Sequence, residues 1–166
     1  NMYDIPTGGY RYSNAPNIPV TRTRLAALTC PSDTPNAPIA PITSHNYAVN
    51  FGNTHYGQGT YNGVAFGGAP FLTSSRATTM ADVKDGTANT MLVAEVLQGT
   101  GTDLRGFSWW GSYSHCAAYN PPNTTVPDRI YTAGYCVNKP IDNLPCAVST
   151  ATDPTQFAAR SRHMGG

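Results

Sequence analysis

Four histidines, four cysteines and nine carboxylates are the side chains through which this 166-residue chain could do acid–base, nucleophilic or metal chemistry. A nucleophile needs a base within hydrogen-bonding reach, and in sequence the nearest Cys/His approach is His115-Cys116. Neighbours in an extended strand point to opposite faces, so adjacency separates these two groups. No Gly-x-Ser-x-Gly elbow is present, and none of the four histidines lies at a zinc or nucleophile spacing. Among the acids, Glu95 alone falls in a predicted strand. A buried carboxylate is costly unless paired, which predicts hydrogen bonds from loop backbone or an ion pair with Arg162 or another Arg. Asp82, Asp85 and Asn89 put oxygen donors around one turn and are the calcium candidates. Calcium takes roughly six to eight oxygens, and the spacing departs from the calcium loop of helix-loop-helix proteins, so a helix end with an Asx-type turn accounts for them better. Trp109 and Trp110, with nearby Tyr, are the residues able to stack on a sugar ring as a ligand platform, or else to anchor the core and loops. The residues therefore predict no catalytic constellation, no metal centre and no cofactor, and the expectation is that the chain is not an enzyme.

Cys30, Cys116, Cys136 and Cys146 have no C-x-x-C or Cys/His spacing and read as disulfide candidates. Disulfides imply an oxidising compartment outside the cytosol. Four cysteines permit three pairings, and the loop-rich stretch from Cys116 to Cys146 favours a local bridge over a long one. Asn123-Thr124-Thr125 is a lone glycosylation sequon, a tripeptide that also arises by chance.

The elements that must position these groups are short. Tyr3, Tyr10 and Tyr12 lie among Gly, Asn and Pro in residues 1–24, an irregular segment laid over a core. Leu25 to Cys30 is an apolar piece stopped by Pro31, and the prolines from Pro31 to Pro41 enforce a rigid loop. Tyr47 to Phe51 alternates as a strand does, and Asn62-Gly63 between Thr60-Tyr61 and Val64-Ala65-Phe66 is a hairpin signal. Thr79 and Asp82 have capping-box spacing, predicting a short helix near 79–85 that Gly86 ends. Met91 to Val96, apolar but for Glu95, predicts a strand buried on both faces at the centre of a sheet. Gly99 to Gly106 reads as a flexible link and Phe107 to Trp110 as a strand. Residues 119–156 are irregular, and a loop region that long implies disulfide stapling or partner binding.

Length indicates one domain over 1–166, large enough to fold without metals or staples. Sixteen Gly and fourteen Pro favour turns and short strands, while ten Tyr and two Trp argue against disorder. Charged residues make up 11%, against roughly a quarter in average soluble domains. Thirteen Asn and twenty-one Thr supply neutral polar surface instead. The net charge is +1 with the basic residues scattered, so nothing resembles a face that captures phosphate backbones, and nucleic acid is excluded as an expected partner. There is no signal peptide, no apolar stretch long enough to span a bilayer and no initiating Met, and Arg162 to Gly166 looks like a turn lacking its following strand. The expectation from these ends is a chain truncated at both.

Several segments together resemble the bacterial prepilin-type cleavage/methylation proteins, type IV pilin- or pseudopilin-like, whose globular half is catalogued as a domain of unknown function, number fifteen fifty-nine. The resemblance runs through Asn17-Ile-Pro-Val20, Cys30-Pro-Ser-Asp33, Asn46-Tyr-Ala-Val-Asn-Phe-Gly52, Asn62-Gly-Val64, Met80 to Thr90, the strand ending in Glu95, and Ser161-Arg-His-Met-Gly-Gly166. It implies an α+β, predominantly β, pilin-like antiparallel sheet head with long irregular loops, preceded in relatives by a pilin leader and long hydrophobic helix and followed by a further strand. In relatives the Cys of Cys-Pro-Ser-Asp often has a partner near the end of that helix. On that basis only one bridge forms among Cys116, Cys136 and Cys146. The family supplies no catalytic residues. The implied role is a structural subunit of an extracellular or cell-surface filament, partnered by copies of itself in a homopolymer and reaching a membrane only through the N-terminal helix. The alternative is a secreted carbohydrate- or ligand-binding module.

Overall fold

A computed structural model describes residues 11–74 and 77–163. Tyr3, Tyr10 and the turn at Met164 to Gly166 lie outside the described residues. Over these residues the chain is α+β with strands outweighing α-helix: one α-helical turn, α1 (Ile18–Thr21), five short strands, and 3-10 turns between them. The strands are β1 (Tyr47–Asn50), β2 (Val93–Glu95), β3 (His115–Cys116), β4 (Asp128–Ile130) and β5 (Cys146–Val148). Among the described residues no helix is long and apolar enough to cross a membrane.

The expected strand at Tyr47 forms, and it takes the centre of its sheet, in the order β2-β1-β3. Ala48 and Asn50 face inward from β1, the amide of Asn50 bonding Met91 O at 2.8 Å and Gly52 N at 2.8 Å. β2, expected at the centre, is instead an edge strand, pairing only with β1 in the register Tyr47↔Glu95 and Val49↔Val93. Met91, Leu92 and Val93 are 41%, 41% and 47% exposed. An apolar run reports burial only where a second layer covers it, and these three are left partly open. Pairing is mixed rather than antiparallel throughout, because β1 runs parallel to β3 and β4 parallel to β5.

Local turn chemistry behaves as read. Asn62 and Gly63 both take positive φ, 48° and 78°, and Tyr61 and Val64 exchange two backbone bonds of 2.9 Å, a tight hairpin turn closed by a single bridge. Thr79 N and Oγ1 both donate to Asp82 Oδ2, at 2.9 and 2.8 Å, but the capped segment is one 3-10 turn, Met80–Asp82, rather than a helix to residue 85. Phe107 to Trp110 forms consecutive turns rather than a strand, with Trp110 N bonding Phe107 O. Gly106 stands before them at φ 78°, where an added Cβ would sit 2.5 Å from His45 O. The link before it is not loose: Asp103, Leu104 and Arg105 are buried. Ile42, Leu104, Phe107, Tyr113, Ile130, Cys146 and Phe157 form the main core, with Trp109, Trp110 and Tyr12 packed against it. Tyr12 meets Phe107 edge-on at 5.1 Å, so this part of the N-terminal segment covers the core as expected.

The irregular region from 119 to 156 is held by charge and one covalent bridge. Cys136 and Cys146 form the local disulfide, and Cys30 and Cys116 are free and buried. Asp128 stands between two arginines: Arg105 Nη1 at 3.2 Å, and Arg160 with Nε at 2.9 Å and Nη2 at 3.1 Å. Asp103 forks onto Arg105 at 2.7–3.2 Å. Remaining guanidinium protons go to loop carbonyls, from Arg105 to Val137, Leu144 and Pro145, and from Arg160 to Thr124 and Val126. The two Arg and two Asp are all buried, and their charges balance. Removing one member of such a set strands the others: Asp128→Asn is expected to cost about 3–5 kcal/mol in urea unfolding, whereas Arg129→Gln, which breaks the half-exposed pair with Asp153, costs about 1 kcal/mol or less.

Candidate functional site

Asn46, the residue just before β1, organises a densely bonded polar site. Its Oδ1 accepts from Cys30 N at 3.0 Å and Gln98 Nε2 at 2.8 Å, while its Nδ2 donates to Asp33 Oδ2 at 2.6 Å and Val96 O at 3.1 Å. Every hydrogen-bonding position of this buried amide is used, which fixes its orientation. Asp33, wholly buried in the proline-rich loop, also accepts from Gln98 N at 2.8 Å and from Arg162 Nε at 2.8 Å. The Asp33–Arg162 pair draws the C-terminal segment across the end of the first sheet, where Arg160 N bonds Glu95 O at 2.9 Å.

This scaffold brings three donor groups together. Cys30 Sγ lies 3.3 Å from His163 Nε2, across 133 residues of sequence, and the same nitrogen lies 3.8 Å from Glu95 Oε2. All three ligand atoms lie within 4.8 Å of one another. Cys30 is 2% exposed, and the side chains of Glu95 and His163 are 17% and 52% exposed, so the cluster is buried at the thiol and open at the imidazole. Glu95 Oε1 is buried and has no hydrogen-bond partner among the described residues. Glu95 therefore does not pair with Arg162, which is taken by Asp33. Both Cys30 and Glu95 approach one nitrogen of His163. In a nucleophile–base–acid relay the acid would hold the opposite ring nitrogen, so the geometry is that of convergence on a point, not of a relay.

Sequence reasoning passed over this cluster because no two of its members are near neighbours in the chain. Its signal lay elsewhere: Cys30-Pro-Ser-Asp33, Asn46, the strand ending in Glu95 and Ser161-Arg-His163 are separate motif segments, and their polar residues meet here.

The other sequence candidates stay apart. His115 and Cys116 point to opposite faces of β3: the imidazole sits 5.0–5.2 Å from the rings of Phe51, Tyr56 and Phe157, and the thiol packs against Ala48 and Val96. Burial pushes His115 down to about 3, against an upward pull from the Ser112 backbone. Burial likewise pushes the Cys116 thiol up to about 11, so it is neither thiolate nor nucleophile at neutral pH. Asp82 is engaged by Thr79, and Asn89 Nδ2 donates to Asp85 O at 3.1 Å, which are the bonds of the turn. Trp109 Nε1 donates to Thr43 O at 2.9 Å and Trp110 packs on Tyr113 at 5.2 Å. Both are half-buried. Asn123 Oδ1 accepts from Asn143 Nδ2 at 2.7 Å and Ser161 N at 2.9 Å, so the sequon asparagine is part of the loop scaffold. An open polar groove of about 520 Å³ runs past Asn50, Asn53, Asp82, Lys84, Asp85 and Thr90.

A family model described as "Protein of unknown function (DUF1559)" matches residues 1–166. Neither a curated protein nor a solved structure matches the chain.

The two groups of β3 give separate tests. An imidazole held to about 3 when folded, and at 6.5 when free, leaves the unfolded chain binding the extra proton between those values, so stability falls as pH drops through that window. Between about pH 6.5 and 4.5 this amounts to about 2–3 kcal/mol, and in His115→Phe that part of the acid sensitivity is expected to vanish from unfolding curves. Cys116 is expected to resist iodoacetamide at about pH 8 in the folded chain and to react once the chain is unfolded.

Proposed function

The chain belongs to the protein family of unknown function DUF1559, whose model spans it, and from that premise we propose that it is the head of a pilin- or pseudopilin-like structural subunit, displayed outside the cytosol and packed against copies of itself. The observation that carries this reading is the edge of the first sheet. Edge strands are normally blunted with charge, proline or cover, yet β2 presents Val93 to solvent, with Met91 and Leu92 exposed just before it. Contiguous apolar exposure of this kind is a packing surface. The Cys136–Cys146 bridge supports a location in an oxidising compartment, and the low charge suits close packing of identical copies.

A second reading, a secreted carbohydrate- or ligand-binding module, draws on the 520 Å³ groove, whose Asn, Thr and Asp side chains offer hydrogen-bonding groups. Trp109 and Trp110 do not line it, so that reading no longer rests on stacking.

Negative-stain images of material isolated from cells, labelled with an antibody to the chain, are expected to show filaments or regular arrays, and strictly single particles would count against the proposal. Val93→Lys is expected to disperse those assemblies while changing the stability of the isolated chain by about 0.5 kcal/mol or less, as surface substitutions do.

A further inference from the structure

We propose that Cys30, Glu95 and His163 form a binding site for a borderline-soft divalent cation of the Zn²⁺ type. The inference is independent of the pilin-like reading. Its first support is distance. With metal–ligand bonds of about 2.0–2.3 Å in tetrahedral arrangement, neighbouring ligand atoms lie roughly 3.4–3.6 Å apart. The two separations, 3.3 Å from Sγ to Nε2 and 3.8 Å from Nε2 to Oε2, bracket that range. The thiol and the carboxylate oxygen also lie within 4.8 Å of each other, so all three donors face a common space.

Hydrogen bonding cannot satisfy the cluster. Nε2 carries either one proton or one lone pair, so it can serve the thiol or the carboxylate but not both. At 3.8 Å the carboxylate lies beyond hydrogen-bonding range, and its other oxygen is buried without a partner. The carboxylate keeps only a long contact to the imidazole, and the thiol's one hydrogen-bonded side-chain partner among the described residues is that same imidazole. A divalent ion removes the difficulty: thiolate and carboxylate cancel its two charges, and the neutral imidazole completes a neutral set of three.

The donor types select the ion. Thiolate and imidazole favour Zn²⁺ over Ca²⁺ or Mg²⁺, which demand oxygen ligands. Three protein ligands among the described residues leave a fourth position for another donor. The ligands are also held from behind, since Asn46 fixes the Cys30 backbone, Arg160 N holds that of Glu95, and Ser161 Oγ accepts from His163 N at 3.0 Å.

The test is a titration of the chain with Co²⁺, purified without reductant so that Cys136–Cys146 stays intact. The expected result is one equivalent bound, with a near-ultraviolet thiolate-to-cobalt charge-transfer band that Zn²⁺ abolishes by displacement. Cys30→Ser should lose the band, Cys116→Ser should keep it, and Glu95→Gln and His163→Ala should each weaken binding by about tenfold or more. His163 is half exposed, so its variant reports even if Cys30→Ser fails to fold. Absence of the band, its survival in Cys30→Ser, affinity unmoved by both Glu95→Gln and His163→Ala, or peptide mapping that finds Cys30 in a disulfide in native material would each overturn the assignment.

Discussion

Asp128, with Arg105 on one side and Arg160 on the other, is the contact from which most of the backbone geometry follows. Regular ladders in this chain are too short to satisfy the peptide groups of the long loop region, since β4 and β5 contribute three residues each. Buried carbonyls need donors wherever they lie. The two guanidinium groups supply them to five carbonyls between residues 124 and 145, while Asp128 Oδ1 takes the N–H of Ala158 at 3.0 Å. Arg has five donors in a rigid plane, so a pair of them can organise more irregular backbone than any other side chain. Buried ion pairs add little net stability over an apolar replacement, because desolvation offsets most of the Coulomb attraction. What this network contributes is a specified path for loops that have few other constraints.

Asp33 does the same for the other half of the fold. It binds the Asn46 amide, the Gln98 backbone and Arg162, and so ties the proline-rich loop, the start of β1, the end of β2 and the C-terminal segment to one point. Arg160 and Arg162, two residues apart, thus reach different carboxylates, and the segment carrying them runs between the two halves. That placement delivers His163 to Cys30 and Glu95. The site is a consequence of how the segment from 157 to 163 is pinned, which is why its members come from such distant positions.

Local features were legible in the sequence, and remote ones were not. β1 could be read from its alternation, the turn at Asn62-Gly63 from residues that tolerate positive φ, the Thr79–Asp82 cap from its spacing and the short bridge from the loop-rich stretch that holds it. Each depends on residues within a few positions. The edge location of β2 could not be read, because an apolar run does not say whether anything covers it. The buried Asp103-Leu104-Arg105 segment looked like a mobile link because Gly on both sides is a stronger local signal than an ion pair to Asp128, 23 residues away. The same holds for the candidate site: Cys30, Glu95 and His163 were each noticed singly or in a motif, yet only the fold makes them neighbours. The family resemblance marked the right segments without giving the reason they belong together.

Segment 157–161, which has no regular secondary structure, is fixed as firmly as the sheets by its hydrogen-bond partners. Amide hydrogen exchange tests it most directly. Ala158, Arg160 and Ser161 donate to Asp128, Glu95 and Asn123 respectively, so their N–H groups are predicted to exchange as slowly as those of β1, by global unfolding alone. Exchange of these three at the rates of an open loop, while β1 remains protected, would contradict the account.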